Sequence, residues 1–188
     1  AAAVVQEHHD VAGGHDDVEP AVLVQVTGRD AVPRLGGAGA EIADQVLDER
    51  VLGLFADGAT LVLQGLHRVW PPVVEFATRL GAELGCPVQV NAYLTPAGNR
   101  GFGTHYDTHD VFVLQAFGRK RWEVRAAPGE AERAPIDADV APGDSIYMPT
   151  GTPHAASTQE TLSGHLTIGV HVTSWRDVLA SAWRRVEQ

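Results

Sequence analysis

The sequence has little sulfur and no long apolar run. Cys86 is the single cysteine among 188 residues, so the chain cannot form an internal disulfide, and a structural zinc site built on several thiolates is excluded. This cysteine content is typical of a reducing compartment, and we expect a cytoplasmic protein. No run of apolar residues approaches the ~20 residues that a transmembrane helix needs, which argues against a membrane-spanning protein.

Positive charge is also scarce. The chain carries 14 basic and 24 acidic side chains, a formal net charge of -10 and a sequence pI near 5.2. Nucleic acids and anionic membranes are bound mainly through cationic surfaces. We therefore expect neither direct nucleic-acid binding nor membrane binding.

The length suits one domain. Residues 1–20 are polar after the first few positions and show no sustained period, so they predict a flexible or surface segment ahead of a domain over 21–188. Apolar residues at helical spacing predict three helices, over Glu41–Phe55, Pro71–Leu84 and Trp175–Glu187.

Most other elements are predicted to be short strands rich in β-branched and aromatic residues. Two precede residue 87, namely Ala21–Thr27 and Thr60–Gly65. The others are Val88–Leu94, Gly103–Asp107, Val111–Phe117, Lys120–Arg125, Ser145–Met148, His154–Ser157 and His165–Thr173. Closely spaced short strands predict a mainly β fold, an antiparallel barrel or jelly roll with flanking helices. Trp122, Phe112 and Phe117 are expected in its core.

A candidate metal site lies in this β region. His105 and Asp107 are two residues apart, which in a strand puts both side chains on one face. His154 follows a turn, a short strand and a second tight turn, and a strand pair could bring it opposite the first two. Two imidazoles and one carboxylate on one face form the facial triad of non-haem Fe(II) oxygenases.

These motifs resemble the JmjC-type cupins, in particular their ribosomal-oxygenase branch. The resemblance rests on the His-x-Asp pair, on the pattern Gly143-x5-Pro149-x-Gly151-x2-His154, and on three runs, LVLQGLHRVWPP, QVNAYLTPAG and HDVFVLQAFGRKRW. It extends from about Gly58 to Trp175. It implies a double-stranded β-helix that holds Fe(II) and uses 2-oxoglutarate and O2 to hydroxylate a C–H bond, with release of succinate.

The resemblance also implies roles for single residues. The metal ligands fall on His105, Asp107 and His154, and no catalytic side chain is expected beyond this centre. The residues expected to bind 2-oxoglutarate are Lys120, which would pair with the distal carboxylate, with Asn91, Tyr93 and Ser163. Second-shell or pocket residues are expected at His109, His165 and Thr167.

Several alternatives stay open at the level of sequence. The substrate is a protein or peptide side chain, with a ribosomal protein as one candidate, or a small molecule. Dimerisation helices and a C-terminal winged-helix-like region of that branch are not found in these 188 residues, so the chain is either a fragment or a compact relative, and a homodimer is one option. Two other functions also fit: a metal-dependent cupin isomerase or dioxygenase that does not use 2-oxoglutarate, and a non-catalytic metal-binding cupin.

Overall fold

The computed structural model describes residues 5–8, 21–25, 49–126 and 134–172, together with Leu179, Trp183 and Arg184. Its strands are β1 (Val5–His8), β2 (Ala21–Gln25), β3 (Thr60–Gln64), β4 (Val88–Thr95), β5 (Asp110–Phe117), β6 (Lys120–Val124), β7 (Ile136–Val140), β8 (Ser145–Met148), β9 (His154–Thr158) and β10 (Ser163–Val170). Its helices are α1 (Glu49–Ala56), α2 (Leu66–Val69) and α3 (Pro71–Leu84).

The strands form two sheets, as expected for a double-stranded β-helix. One sheet has the order β1-β2-β3-β4-β10-β5-β8 and the other the order β7-β6-β9. Strands β2 and β3 pair in parallel, and the remaining described pairs are antiparallel. The predicted fold class, mainly β with flanking helices, is confirmed.

The core between the sheets follows from alternation along the strands. In β5, Val111 and Val113 are buried and pack with Trp122 and Val124 of β6 and Met148 of β8. The same alternation turns the basic residues beside Lys120 outward, as expected. Arg121 lies on the surface, where its Nε donates to Asp137 Oδ1 at 2.8 Å.

Helix α3 covers the outer face of the larger sheet. Val73 and Ala77 pack against Val90 of β4 and Ile168 of β10. A proline occupies the first turn of the helix, and Gly85 ends it with φ 69°, a left-handed conformation that glycine adopts without strain. The predicted bounds of this helix are confirmed.

Some predicted elements differ from the structure. The strand expected over Gly103–Asp107 does not form; the segment makes only one isolated bridge, from His105 to His154. Phe112 and Phe117, expected in the core, are exposed. Phe112 lies on the outward face of β5, because Val111 and Val113 fill the inward face, and Phe117 is the last residue of the strand. Three short elements, β1, α2 and β7, were not predicted.

Parts of two predicted helices fall outside the described residues. The first begins at Glu49 in the described range, and its predicted residues 41–48 lie outside it. The C-terminal one is described only at Leu179, Trp183 and Arg184, which are helical. The division into a surface segment over 1–20 and a domain over 21–188 stays a prediction.

Candidate active site

A cavity opens between the two sheets. Its volume is about 510 Å³, including the mouth that is open to solvent. Seven of the predicted site residues are among those that line it: His105, Asp107, His154, Lys120, Tyr93, His165 and Thr167. The fold therefore brings to one cavity residues that come from five separate stretches of the sequence.

His105, Asp107 and His154 form a compact cluster in this cavity. One ligand atom of each lies within 4.8 Å of the others, and within the described part of the chain this is the one such group of three or more His, Cys, Asp or Glu residues. The two imidazole centroids are 4.4 Å apart. Nε2 of His154 lies 3.7 Å from Oδ2 of Asp107.

Backbone carbonyls orient both imidazoles. Nδ1 of His105 lies 2.9 Å from the carbonyl oxygen of Gly103, and Nδ1 of His154 lies 2.9 Å from that of Thr152. Because a carbonyl only accepts, each Nδ1 carries a proton, so in the neutral ring the lone pair is on Nε2. Metal-binding histidines in proteins are held in this way.

A tight turn holds Asp107, the carboxylate of the cluster, in place. Gly151 has φ 77°, and its N–H donates to the carbonyl oxygen of Asp107 at 2.8 Å. Beside it, the Thr150 N–H donates to Oδ1 of Asp110 at 2.9 Å. The turn that delivers His154 thus also fixes the backbone that carries Asp107.

The protonation states suit a divalent metal ion. Burial lowers the pKa of His154, and the neighbouring His105 lowers it further, against the opposing effects of the Thr152 carbonyl and of Asp107. A neutral imidazole is the form that binds a metal. Two imidazoles and a carboxylate match the ligand set of non-haem Fe(II) sites, so the residues present fit the metal that the sequence predicts.

Lys120 supplies a buried cation beside the cluster. The residue is 2% exposed, and Nζ donates to Oγ1 of Thr95 at 2.9 Å. Burial lowers the pKa of Lys120 to about 7. A buried ammonium ion is costly unless an anion accompanies it, so an acidic ligand in this cavity would be strongly favoured at this point.

An aromatic wall flanks this lysine. The ring of Tyr93 stacks on His165 at a centroid distance of 5.0 Å and an interplanar angle of 7°. Burial, and to a lesser degree Asp107, raises the pKa of Tyr93 to about 12, so its hydroxyl stays protonated and able to donate. Thr167, two residues after His165 on β10, lines the same cavity.

Three predicted site residues lie elsewhere. Asn91, Ser163 and His109 are not among the described residues that line the cavity. Oδ1 of Asn91 accepts from the Gly65 N–H at 3.0 Å, and the Ser163 hydroxyl accepts from Gln115 Nε2 at 2.7 Å. The His109 ring stacks on His171 at 4.4 Å. The roles of all three stay predictions.

Other residues that line the cavity were not predicted as site residues, among them Thr60, Thr95 and Trp122. Thr60 and Thr95 place their hydroxyl oxygens 3.0 Å apart in the cavity wall, and Thr95 accepts from Lys120. A threonine in a strand is too common for the sequence to mark it. Trp122, expected only in the core, also lines the cavity; its spacing of two from Lys120 places both on one face of β6 and could have indicated this.

The fold and the cavity together define a double-stranded β-helix protein with a His/Asp/His candidate metal centre. The family model described as the JmjC domain matches residues 71–178. The chain belongs to the JmjC domain family.

Curated relatives include two oxygenases. The chain is 33% identical over 144 residues to the bifunctional lysine-specific demethylase and histidyl-hydroxylase NO66 of Drosophila simulans. This alignment covers 68% of the present chain and 17% of NO66. The chain is 40% identical over 116 residues to ribosomal oxygenase 2 of Rattus norvegicus. This alignment covers 54% of the present chain and 25% of ribosomal oxygenase 2. The chain therefore spans a quarter or less of the length of these relatives.

A solved structure supports the same likeness. The ribosomal oxygenase YcfD of Escherichia coli, in complex with cobalt and 2-oxoglutarate, is 26% identical with a TM-score of 0.54, over 69% of this chain and 36% of that chain. Among the described residues, no helix is long and apolar enough to cross a membrane. The cytoplasmic location and the homodimer stay predictions.

Proposed function

We propose that the chain is an Fe(II)- and 2-oxoglutarate-dependent hydroxylase that acts on a protein or peptide side chain. The observation that carries the proposal is the placement of two kinds of site in one cavity. A His/Asp/His cluster with free Nε2 lone pairs and the buried Lys120 both line it. The first matches a metal ion, and the second matches the carboxylate of an acidic co-substrate.

In this proposal His105, Asp107 and His154 hold the iron, and Lys120 with Thr95 binds the distal carboxylate of 2-oxoglutarate. Bound Fe(II) and 2-oxoglutarate supply the oxidative chemistry that consumes O2, releases succinate and CO2, and hydroxylates a C–H bond. The side chains bind and orient the metal ion and 2-oxoglutarate. The apolar walls formed by Val111, Val113 and Met148 keep water away.

The likeness to YcfD, whose structure was solved with cobalt and 2-oxoglutarate, supports both ligands. The names of the relatives, histidyl-hydroxylase and ribosomal oxygenase, support a protein substrate. The buried lysine favours this reaction over a cupin that uses its metal without 2-oxoglutarate, because a buried ammonium is costly unless an acidic ligand accompanies it.

The substrate is tested with a ribosomal-protein extract. The protein is incubated with Fe(II), 2-oxoglutarate and the extract, and peptides are searched by mass spectrometry for the gain of one oxygen atom. We expect a modified side chain with the unaltered protein and none with His105→Ala. Succinate release without any modified peptide would show turnover of 2-oxoglutarate and would count against a ribosomal protein as the substrate.

A further inference from the structure

The environment of the Lys120 ammonium shows more than a cation lining a cavity. Nζ lies 2.9 Å from Oγ1 of Thr95 and 3.1 Å from Nδ1 of His165. Both Lys120 and His165 are buried, with exposures of 2% and 5%. An ammonium has three donors, so these two partners leave one N–H for a ligand.

The hydrogen bond to His165 has one direction. A lysine ammonium can only donate, so Nδ1 of His165 accepts, and the imidazole proton lies on Nε2. Burial lowers the pKa of His165 well below its usual value, and the nearby Lys120 and His154 lower it further. His165 is therefore neutral and able to accept.

The His165 ring is held rigidly. It stacks on Tyr93 at 5.0 Å, and Trp122 meets it edge-on at 5.3 Å. In the sheet, β10 places His165 opposite Tyr93 of β4 and opposite Gln115 of β5. A ring held by Tyr93 of β4 and Trp122 of β6, on a backbone paired to β4 and β5, gives its acceptor nitrogen a fixed position.

We propose that His165 is a positioning residue: its Nδ1 holds the Lys120 ammonium so that the remaining N–H donor faces the distal carboxylate of 2-oxoglutarate. The inference rests on the proposed function, because it concerns the co-substrate of that site. Packing alone does not require an imidazole here, since an apolar side chain would fill the space without leaving a buried polar atom to satisfy.

Two variants distinguish the role of His165 as a hydrogen-bond acceptor from its contribution to packing. His165→Asn keeps an acceptor, Oδ1, near the position of Nδ1, whereas His165→Leu removes it. The affinity for 2-oxoglutarate is measured by calorimetry on the Mn(II)-loaded protein. We expect His165→Leu to bind about tenfold more weakly or worse, as for loss of a charge-assisted hydrogen bond, and His165→Asn to recover most of the loss. Mn(II) affinity should be unchanged in both.

In turnover, the leucine variant should raise the KM for 2-oxoglutarate with little effect on kcat. Equal affinity of His165→Leu and the unaltered protein would overturn the inference, and so would an asparagine variant as weak as the leucine one. If the unaltered protein itself binds no 2-oxoglutarate, it is the proposed function that fails.

A measurement on the unaltered protein covers the case in which a variant does not fold. Long-range ¹H–¹⁵N spectra of the histidine rings report the tautomer directly. We expect His165 to carry its proton on Nε2 with Nδ1 accepting. A proton on Nδ1 would overturn the inference, because that nitrogen could not then accept from Lys120.

Discussion

The backbones of His105 and His154 hydrogen-bond to each other in both directions. The His105 N–H donates to the His154 carbonyl oxygen at 3.1 Å, and the His154 N–H donates to that of His105 at 2.8 Å. Two residues distant in sequence are thereby fixed side by side without a regular strand at His105. The two imidazoles are fixed as well, because each Nδ1 hydrogen-bonds to a backbone carbonyl of its own chain segment.

This relationship leads to a prediction for the metal. His105→Ala or Asp107→Ala should abolish stoichiometric Fe(II) binding, because each removes one of three protein ligands. His109→Ala is the matched control: its ring packs on His171 and is not among the described residues that line the cavity. Anaerobic titration followed by metal analysis measures the stoichiometry. One equivalent of iron retained by the Asp107 variant would mean that the ligand set is wrong.

The affinity for 2-oxoglutarate should depend on pH through Lys120. Its pKa is lowered to about 7 by burial, and only the protonated form pairs with a carboxylate. The dissociation constant should therefore increase above about pH 7, approaching tenfold per pH unit. Binding at pH 8 should take up a proton, which calorimetry in buffers of different ionisation enthalpy detects. Affinity that stays constant from pH 6.5 to 8.5 would contradict this role for the lysine.

Replacing the same lysine should stabilise the fold. The pKa of Lys120 falls from 10.5 to about 7, so the unfolded chain binds the extra proton between these values and stability rises with pH there. Lys120→Met removes the buried charge and should increase the free energy of unfolding by about 1–4 kcal/mol at or below pH 7. The gain should shrink towards pH 10.5. Denaturant unfolding of the metal-free protein at several pH values measures it; a loss of stability at pH 6 would count against a costly buried cation.

The turn before Lys120 should tolerate only glycine. Gly118 has φ 63°, and a Cβ there would collide with the carbonyl oxygen of Leu162. Gly118→Ala should cost roughly 3 kcal/mol or more, from backbone strain together with overpacking. Gly143→Ala is the matched control, with φ 93° and nothing within 4 Å of the added Cβ, and should cost only about 1–2 kcal/mol. Urea unfolding compares them; equal losses would show that the contact with Leu162 is easily relieved.

Much of this molecule can be predicted from the sequence, because its elements carry clear patterns. The bounds of α3 follow from helical spacing between a proline and a glycine, and β8 from a short apolar alternation between two turns. Strand β7 is different. Two of the five residues in its sequence, IDADV, are aspartates, since the strand lies at a sheet edge with three of its five residues exposed. Such a composition is typical of a loop, so the sequence pattern does not indicate a strand.

The candidate site likewise has residues that the sequence predicts and residues that it does not. The spacing of His105, Asp107 and His154 is a sequence signal, and the cluster forms although the strand that was expected to carry the first two does not. Thr95 could not be found in this way. Its importance comes from a contact with Lys120 across the fold, and only the pairing of the strands creates that contact.

The central claim is that one cavity binds both iron and 2-oxoglutarate and that the two react with oxygen. The direct test is anaerobic titration of the protein with Fe(II) and 2-oxoglutarate, followed by exposure to O2 and measurement of succinate. We expect one equivalent of each to bind and succinate to appear only after oxygen is admitted, with 2-oxoglutarate binding lost in Lys120→Ala and kept in Arg119→Ala, whose side chain is on the surface. Iron binding with no binding of 2-oxoglutarate, or binding of 2-oxoglutarate that survives in Lys120→Ala, would contradict the account.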